Sequence, residues 1–140
     1  MADHGGQIPD GTFEVTNLQV ATEPGIMPFN ILDPTLTCTI SATFQGQGSM
    51  TWLNMKSHKE EFEARFFAEA IGIPPSDINL GVVKGHLVEG QDTYTLKLQV
   101  PPNTFQVGLY EVGVVVTFPL WIGTLGYYEG LIVQAATTAA

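Results

Sequence analysis

Apolar and polar residues alternate along several stretches of this chain, and that alternation predicts β-strands. The clearest stretch is 36–44, in which threonine and serine occupy the positions between the apolar residues. Its predicted inward set is Leu36, Cys38, Ile40, Ala42 and Phe44. One buried and one solvated face per strand is typical of antiparallel sheets that pack together. The pattern therefore predicts an all-β fold, a single antiparallel β-sandwich of about seven strands.

The predicted strands are spaced along the chain between segments rich in glycine, proline and asparagine. They are 13–20, 36–44, 62–70, 80–87, 93–100, 108–118 and 127–134. In the first strand the apolar phase slips by one residue near Asn17, which predicts a bulge or a strand that changes sheets. The glycine-containing strand 80–87 is expected at a sheet edge.

Residues 57–70 are ambiguous between strand and helix. Ser57 to Glu60 has the form of a helix capping box, but apolar residues alternate almost perfectly from Phe62 to Ala70. On a helical wheel the charges and phenylalanines would intermingle, so no apolar stripe would form. We predict a strand, with a helix as the alternative.

The chain is expected to be one domain with two short terminal extensions. Residues 1–11 are small, polar and rich in turn residues, which predicts a flexible arm, and 135–140 predicts a flexible tail. The domain then spans 12–134, with 45–60 as a long connection. Two strands of this domain flank a loop between Pro119 and Gly126, which is a hairpin signal.

Composition excludes some classes of function. The net charge is −9 and the five basic residues are scattered, so a nucleic-acid surface is not expected. Only 14% of residues are charged, against about 25% in ordinary domains, and this weakly charged, Thr/Gln-rich surface is compatible with self-association. Neutral faces of an ordinary β-domain are the alternative. Membrane docking is not expected, because negative charge opposes anionic lipid.

The sequence has no signal peptide and no apolar run near the roughly 20 residues of a spanning helix, so a cytoplasmic location is the default expectation. Export by a leader outside this sequence remains an alternative.

No motif for catalysis occurs in the sequence. Nucleophile elbows, phosphate-binding glycine loops and His-Glu-x-x-His are absent, and the three histidines lie far apart. Cys38 has inward parity, which predicts a buried structural thiol rather than a nucleophile. We therefore expect a protein that is not an enzyme and uses no cofactor and no metal. An enzyme built on His58 and Glu60 is the minor alternative.

The segment Gly108-Leu-Tyr110-Glu-Val112 resembles the Gly-x-Tyr-x-Cys start of strand F in immunoglobulin-like and fibronectin-like sandwiches. Val112 replaces the family's second cysteine, and Gln106 replaces its usual acidic residue. The resemblance implies that Cys38 packs across the core from Val112 as a free thiol, and that Phe66 fills the place of the family's tryptophan. Because many functions use this fold, it implies none of them.

Strand order predicts where binding residues gather. If successive strands run up and down, the connection 45–60, the turn 88–92 and the loop 119–125 meet at one end. Apolar residues on such loops are typical binding sites, and here they are Met50, Trp52, Leu53, Met55, Leu120, Trp121 and Ile122. The alternative is that the loops fold down and bury the tryptophans as a lid.

Two functions are therefore expected from different classes. The first is a non-catalytic protein–protein interaction or structural module, with self-assembly into a homo-oligomer as one form of it. The second is a small-ligand module that stacks a sugar or a pigment on Trp52 and Trp121.

Overall fold

The computed structural model describes residues 3–8, 11–22, 25–26, 31–48, 50–72, 76–119 and 125–136. Within them lie ten strands and one helix. The strands are β1 (Asp3–Ile8), β2 (Gly11–Thr22), β3 (Gly25–Ile26), β4 (Ile31–Leu32), β5 (Cys38–Gln47), β6 (Glu61–Ile71), β7 (Ile78–His86), β8 (Thr93–Val100), β9 (Gly108–Thr117) and β10 (Leu125–Ala135), and the helix is α1 (Met50–Ser57).

Two sheets pack against each other, and the predicted all-β class is confirmed. The first sheet has the order β7-β6-β9-β10, and the second has the order β2-β5-β8. Strand β1 joins them, because Asp3 to Gly6 pair with β10 whereas Gln7 and Ile8 pair with β2. The short β3 pairs with β2, and β4 runs parallel to β10.

The ambiguous segment is a strand. Residues Glu61–Ile71 form β6, paired antiparallel with both β7 and β9. Its residues alternate between buried and partly or fully exposed from Glu61 to Glu69, because every second side chain packs into the core while the others face outward. The phase slip is a bulge: the β2–β5 register shifts between Thr16 and Gln19, and Asn17 has a φ of 56°.

The structure differs from the sequence expectations in three places. Part of the expected connection 45–60 is the helix α1, and part of the expected arm is the strand β1. Leu36, expected inward, is 39% exposed because it lies in a turn before β5, where its N–H donates to the carbonyl of Asp33. Of the expected tail, residues 137–140 lie outside the described residues.

The core lies between the two sheets and holds the inward residues of every long strand. Cys38 in β5 and Val112 in β9 are both buried and belong to opposite sheets. Phe66 is fully buried, as expected. At one end of the core the rings of Phe13, Phe44, Trp52, Phe62, Tyr94 and Phe118 form one aromatic cluster. The cluster closes the sandwich at the end where α1 lies.

Candidate functional site

The end of the sandwich that carries α1 and the turn 87–92 is called here the helix pole. The N–H of Leu87 donates to the carbonyl of Glu60 at 2.9 Å, and the hydroxyl of Ser57 lies 3.1 Å from a carboxylate oxygen of Glu89. Phe118, where β9 ends, packs edge-on against Trp52. The predicted meeting of the connection 45–60 with the turn 88–92 is therefore confirmed. Residues 120–124 of the third predicted loop lie outside the described residues.

Helix α1 is anchored to the core by the side chains on its inner face. Trp52 and Met55 are 1% and 0% exposed, and Lys56 is also buried. On the other side Met50 is 70% exposed and Leu53 is 53% exposed. Helices this short are marginal in water, so burial of the inner face rather than intrinsic propensity accounts for α1. The buried face fixes the position of the two exposed apolar side chains.

Trp52 fills the open end of the core. Its ring meets those of Phe13, Tyr94 and Phe118 edge-on at centroid distances of 6.1, 6.5 and 6.4 Å. The indole also lies against the backbone of Gly46, where an added Cβ would be within 2.6 Å of three of its ring carbons. Only glycine fits there without a shift. Trp52 is therefore buried over the end of the core, as in the alternative expectation that the tryptophans form a lid.

Asp92 joins the helix to the turn. Its Oδ1 accepts hydrogen bonds from Trp52 Nε1 at 2.8 Å and from Lys56 Nζ at 2.5 Å. Its carbonyl accepts from the N–H of Gly46. The hydrogen bond from Lys56, with a smaller contribution from Trp52, lowers the pKa of the Asp92 carboxyl below its ordinary value. The Lys56 side chain is 6% exposed and that of Asp92 is 52% exposed, so the ion pair lies at the surface of the pole.

A pocket of about 260 Å³ opens beside this ion pair. Its lining residues are Gly48, Met50, Trp52, Leu53, Lys56 and Asp92. Pockets for drug-sized ligands measure roughly 300–1,000 Å³, so this one lies just below that range. Its wall combines apolar side chains with one charged pair, which suits the insertion of a side chain from a partner.

The predicted site residues separate into three groups. Met50 and Leu53 are exposed at the helix pole, as a contact surface requires. Trp52 and Met55 belong to the core and present almost no surface. Leu120, Trp121 and Ile122 lie outside the described residues.

Cys38, at the start of β5, lies at the other end of the sandwich from the two histidines whose side chains the structure describes. His58 and His86 are exposed, the first after α1 and the second at the end of edge strand β7. Cys38 is 2% exposed, and burial raises the pKa of its thiol to about 11, which keeps it protonated and unreactive. Among the residues that the structure describes, no three metal-ligating side chains come together, and no helix is long and apolar enough to cross a membrane.

A second surface was not singled out by the sequence reasoning. On the outer face of the first sheet, Ile71, Leu109 and Ile132 are exposed beside Glu69 and Glu111. The outward parity of Leu109 could be inferred from the predicted hairpin. Its proximity to Ile71 could not, because it depends on the register between β6 and β9.

Tyr110 ties the start of β9 to the segment that precedes it. Tyr110 is fully buried, and its hydroxyl accepts from the N–H of Gln106 at 3.1 Å and donates to the carbonyl of the same residue at 3.2 Å. Comparison with known proteins adds no family: no family model matches the sequence, and no curated protein matches it. Function is therefore inferred from the surfaces of the molecule.

Proposed function

We propose that this protein is a non-catalytic protein–protein interaction module and that its contact surface is the exposed face of α1. The observation that carries the proposal is the exposure of Met50 and Leu53 on a helix whose opposite face is buried. Burying large apolar side chains drives association, and little backbone order remains to be gained on binding because the helix is already anchored.

We also infer that the module is of the immunoglobulin-like or fibronectin-like kind. The support is twofold. Cys38 and Val112, at the positions of the family's paired cysteines, lie in opposite sheets, and Tyr110 bonds back to Gln106. This inference concerns the fold alone and leaves the partner open.

The contacts of Trp52 favour a protein partner over a small ligand. A stacking platform needs an exposed ring, whereas Trp52 is 1% exposed and its Nε1 donates to Asp92. The pocket is also smaller than ordinary ligand sites. A partner side chain lying between Met50 and Leu53 would use the pocket and the exposed helix face together.

Site-specific photo-crosslinking in the native host tests this function. A photoreactive amino acid replaces Leu53, and a matched variant carries it at Leu36, which is also exposed but precedes β5. We expect an adduct from position 53 that is weak or absent at position 36. An adduct of twice the chain mass would identify self-assembly, and a heterologous adduct would identify another partner by mass spectrometry.

Absence of any adduct from position 53, or equal adducts from both positions, would refute a contact surface on α1. Circular dichroism of both variants establishes that the sandwich is intact. Because Leu53 contributes to no buried cluster, its replacement is expected to leave the thermal midpoint unchanged.

A further inference from the structure

The outer face of the first sheet carries a compact set of six residues, called here the apolar–acidic patch. They stand in two rows across three strands, Glu69, Glu111 and Ile132 in one row and Ile71, Leu109 and Gln134 in the other. Ile71, Leu109 and Ile132 are 45, 42 and 45% exposed. Three large apolar side chains at this exposure, neighbours on one sheet face, are a candidate interaction surface.

The two glutamates of the patch lie directly opposite each other on neighbouring strands, so their like charges repel. Glu69 and Glu111 are direct cross-strand partners, an arrangement that destabilises a sheet. Arg65 shares their face of β6 but lies four residues from Glu69, roughly 13 Å along the strand. Within the described part of the chain, the ion pairs formed by lysine or arginine are Lys56–Asp92 and Lys84–Glu63, neither of which reaches the patch.

The patch is remote from the helix pole. Strand β6 begins at Glu61, next to α1, and ends at Ile71 in the patch. Eleven residues of extended chain separate the two sites by roughly 30 Å. A ligand of the patch would therefore leave Met50 and Leu53 free.

We propose that the apolar–acidic patch binds a protein segment that combines basic and apolar side chains. A lysine or arginine between Glu69 and Glu111 relieves their repulsion and forms charge-assisted hydrogen bonds. An adjacent aliphatic or aromatic side chain covers Ile71, Leu109 and Ile132. Charge argues against the other occupants, because a second copy would bring two further glutamates to the same place and an anionic lipid surface would be repelled.

Selection from a phage-displayed library of random peptides, with the immobilised full chain as bait, tests the chemistry of the partner. Selected sequences are expected to be rich in lysine or arginine next to leucine, isoleucine or phenylalanine. Synthetic copies are then titrated by fluorescence anisotropy at low and high salt. Affinity should fall with salt, because the contact pairs exposed charges. Selected peptides without basic residues, or an affinity indifferent to salt, would overturn the proposal.

Matched variants locate the site. Glu111→Lys is expected to weaken peptide binding about tenfold, as the loss of a charge contact in a complementary interface does. Leu109→Ser should weaken it as well. The control Glu61→Lys makes the same charge change on the same sheet, at the other end of β6, and should leave binding within about twofold, since it lies beyond a Debye length from the patch. Equal loss in Glu111→Lys and Glu61→Lys would show a general charge effect and overturn the proposal.

Two further measurements examine the other occupants. A dimer in sedimentation that Leu109→Ser dissociates would assign the patch to a second copy. Binding to vesicles containing phosphatidylserine that Leu109→Ser abolishes would assign it to a membrane. Either result would overturn the proposal. Leu53→Asp should leave peptide binding unchanged, so failure at the patch and failure at the helix pole remain distinguishable.

Discussion

A methyl group added at Gly46 tests how firmly Trp52 is held at the helix pole. In Gly46→Ala the new Cβ would lie within 2.6 Å of three indole carbons, whereas ordinary carbon contacts are about 3.5–4.0 Å. The ring must therefore move by about 1 Å. Its movement is restricted, because Phe13, Tyr94 and Phe118 pack against it and its Nε1 is bonded to Asp92.

The expected loss follows from three contributions. Overpacking a core costs about 1–3 kcal/mol. A weakened hydrogen bond to a carboxylate adds about 1 kcal/mol. Replacing glycine by alanine within a strand stabilises the fold by roughly 0.5–1 kcal/mol, because glycine loses more conformational freedom on folding. The cost of overpacking is the largest of the three contributions. We therefore expect the free energy of unfolding to fall by about 2 kcal/mol, or the thermal midpoint by about 8 °C.

Gly113→Ala is the matched control, because it makes a similar clash against a ring that is free to move. Its Cβ would lie 2.5 Å from Cζ of Phe67, at the far end of a half-buried side chain on the outer face of β6. Phe67 can turn into solvent, so the loss should be below about 1 kcal/mol.

Urea denaturation followed by circular dichroism measures both variants. The second variant pair is Trp52→Leu alone and together with Gly46→Ala, where the smaller side chain should remove most of the penalty of the added methyl group. Equal losses of unfolding free energy in Gly46→Ala and Gly113→Ala would refute the account of Trp52 as a rigid lid. So would a destabilisation by Gly46→Ala that is just as large when residue 52 is leucine.

Three other variants address single contacts. Asp92→Asn should lower stability at neutral pH by about 1 kcal/mol, because it leaves the buried Lys56 without its carboxylate but the pair is half exposed. Because the pKa of Asp92 is lowered in the folded state, this contribution is complete above the ordinary value of 3.8 and is lost as pH falls through the lowered value, so acid titration of Asp92→Asn should show a smaller decline than the wild type. Tyr110→Phe removes both bonds to Gln106 and should cost about 1 kcal/mol in urea denaturation, and an unchanged midpoint would contradict a structural role for the hydroxyl. Glu111→Lys should raise the thermal midpoint slightly, by about 0.2–1 kcal/mol of stability, since it replaces a like-charge pair with Glu69 by an opposite one, and a lower midpoint would contradict that reasoning.

Alternation predicted the long strands because burial of one sheet face imposes it residue by residue. The stretch from Cys38 to Phe44 is buried at every second position. The same alternation from Phe62 to Ala68 correctly favoured a strand over a helix. Leu36 was wrongly placed inward, because alternation continues into a turn whose conformation depends on Asp33. The hydroxyl and N–H of Thr35 both donate to that carboxylate.

Helix α1 escaped prediction for a physical reason. Apolar residues at positions 50, 52, 53 and 55 form no helical stripe, and the helix exists because Trp52 and Met55 find an opening in the core. Its ion pair joins Lys56 to a residue 36 positions away, and that partnership depends on the register of strands. The apolar–acidic patch could not be predicted from the sequence for the same reason, because its rows cross three strands and depend on their register.

Strand β1 has a consequence for handling the protein. Its first four residues pair along the edge of β10 and its last two pair with the first two residues of β2, so one N-terminal strand covers part of an edge of each sheet. Unpaired edges of this kind template intermolecular pairing. Truncation of the first eight residues would uncover these parts of both edges at once, and the shortened chain should aggregate more readily than the full chain. Affinity tags are therefore better placed at the C-terminus.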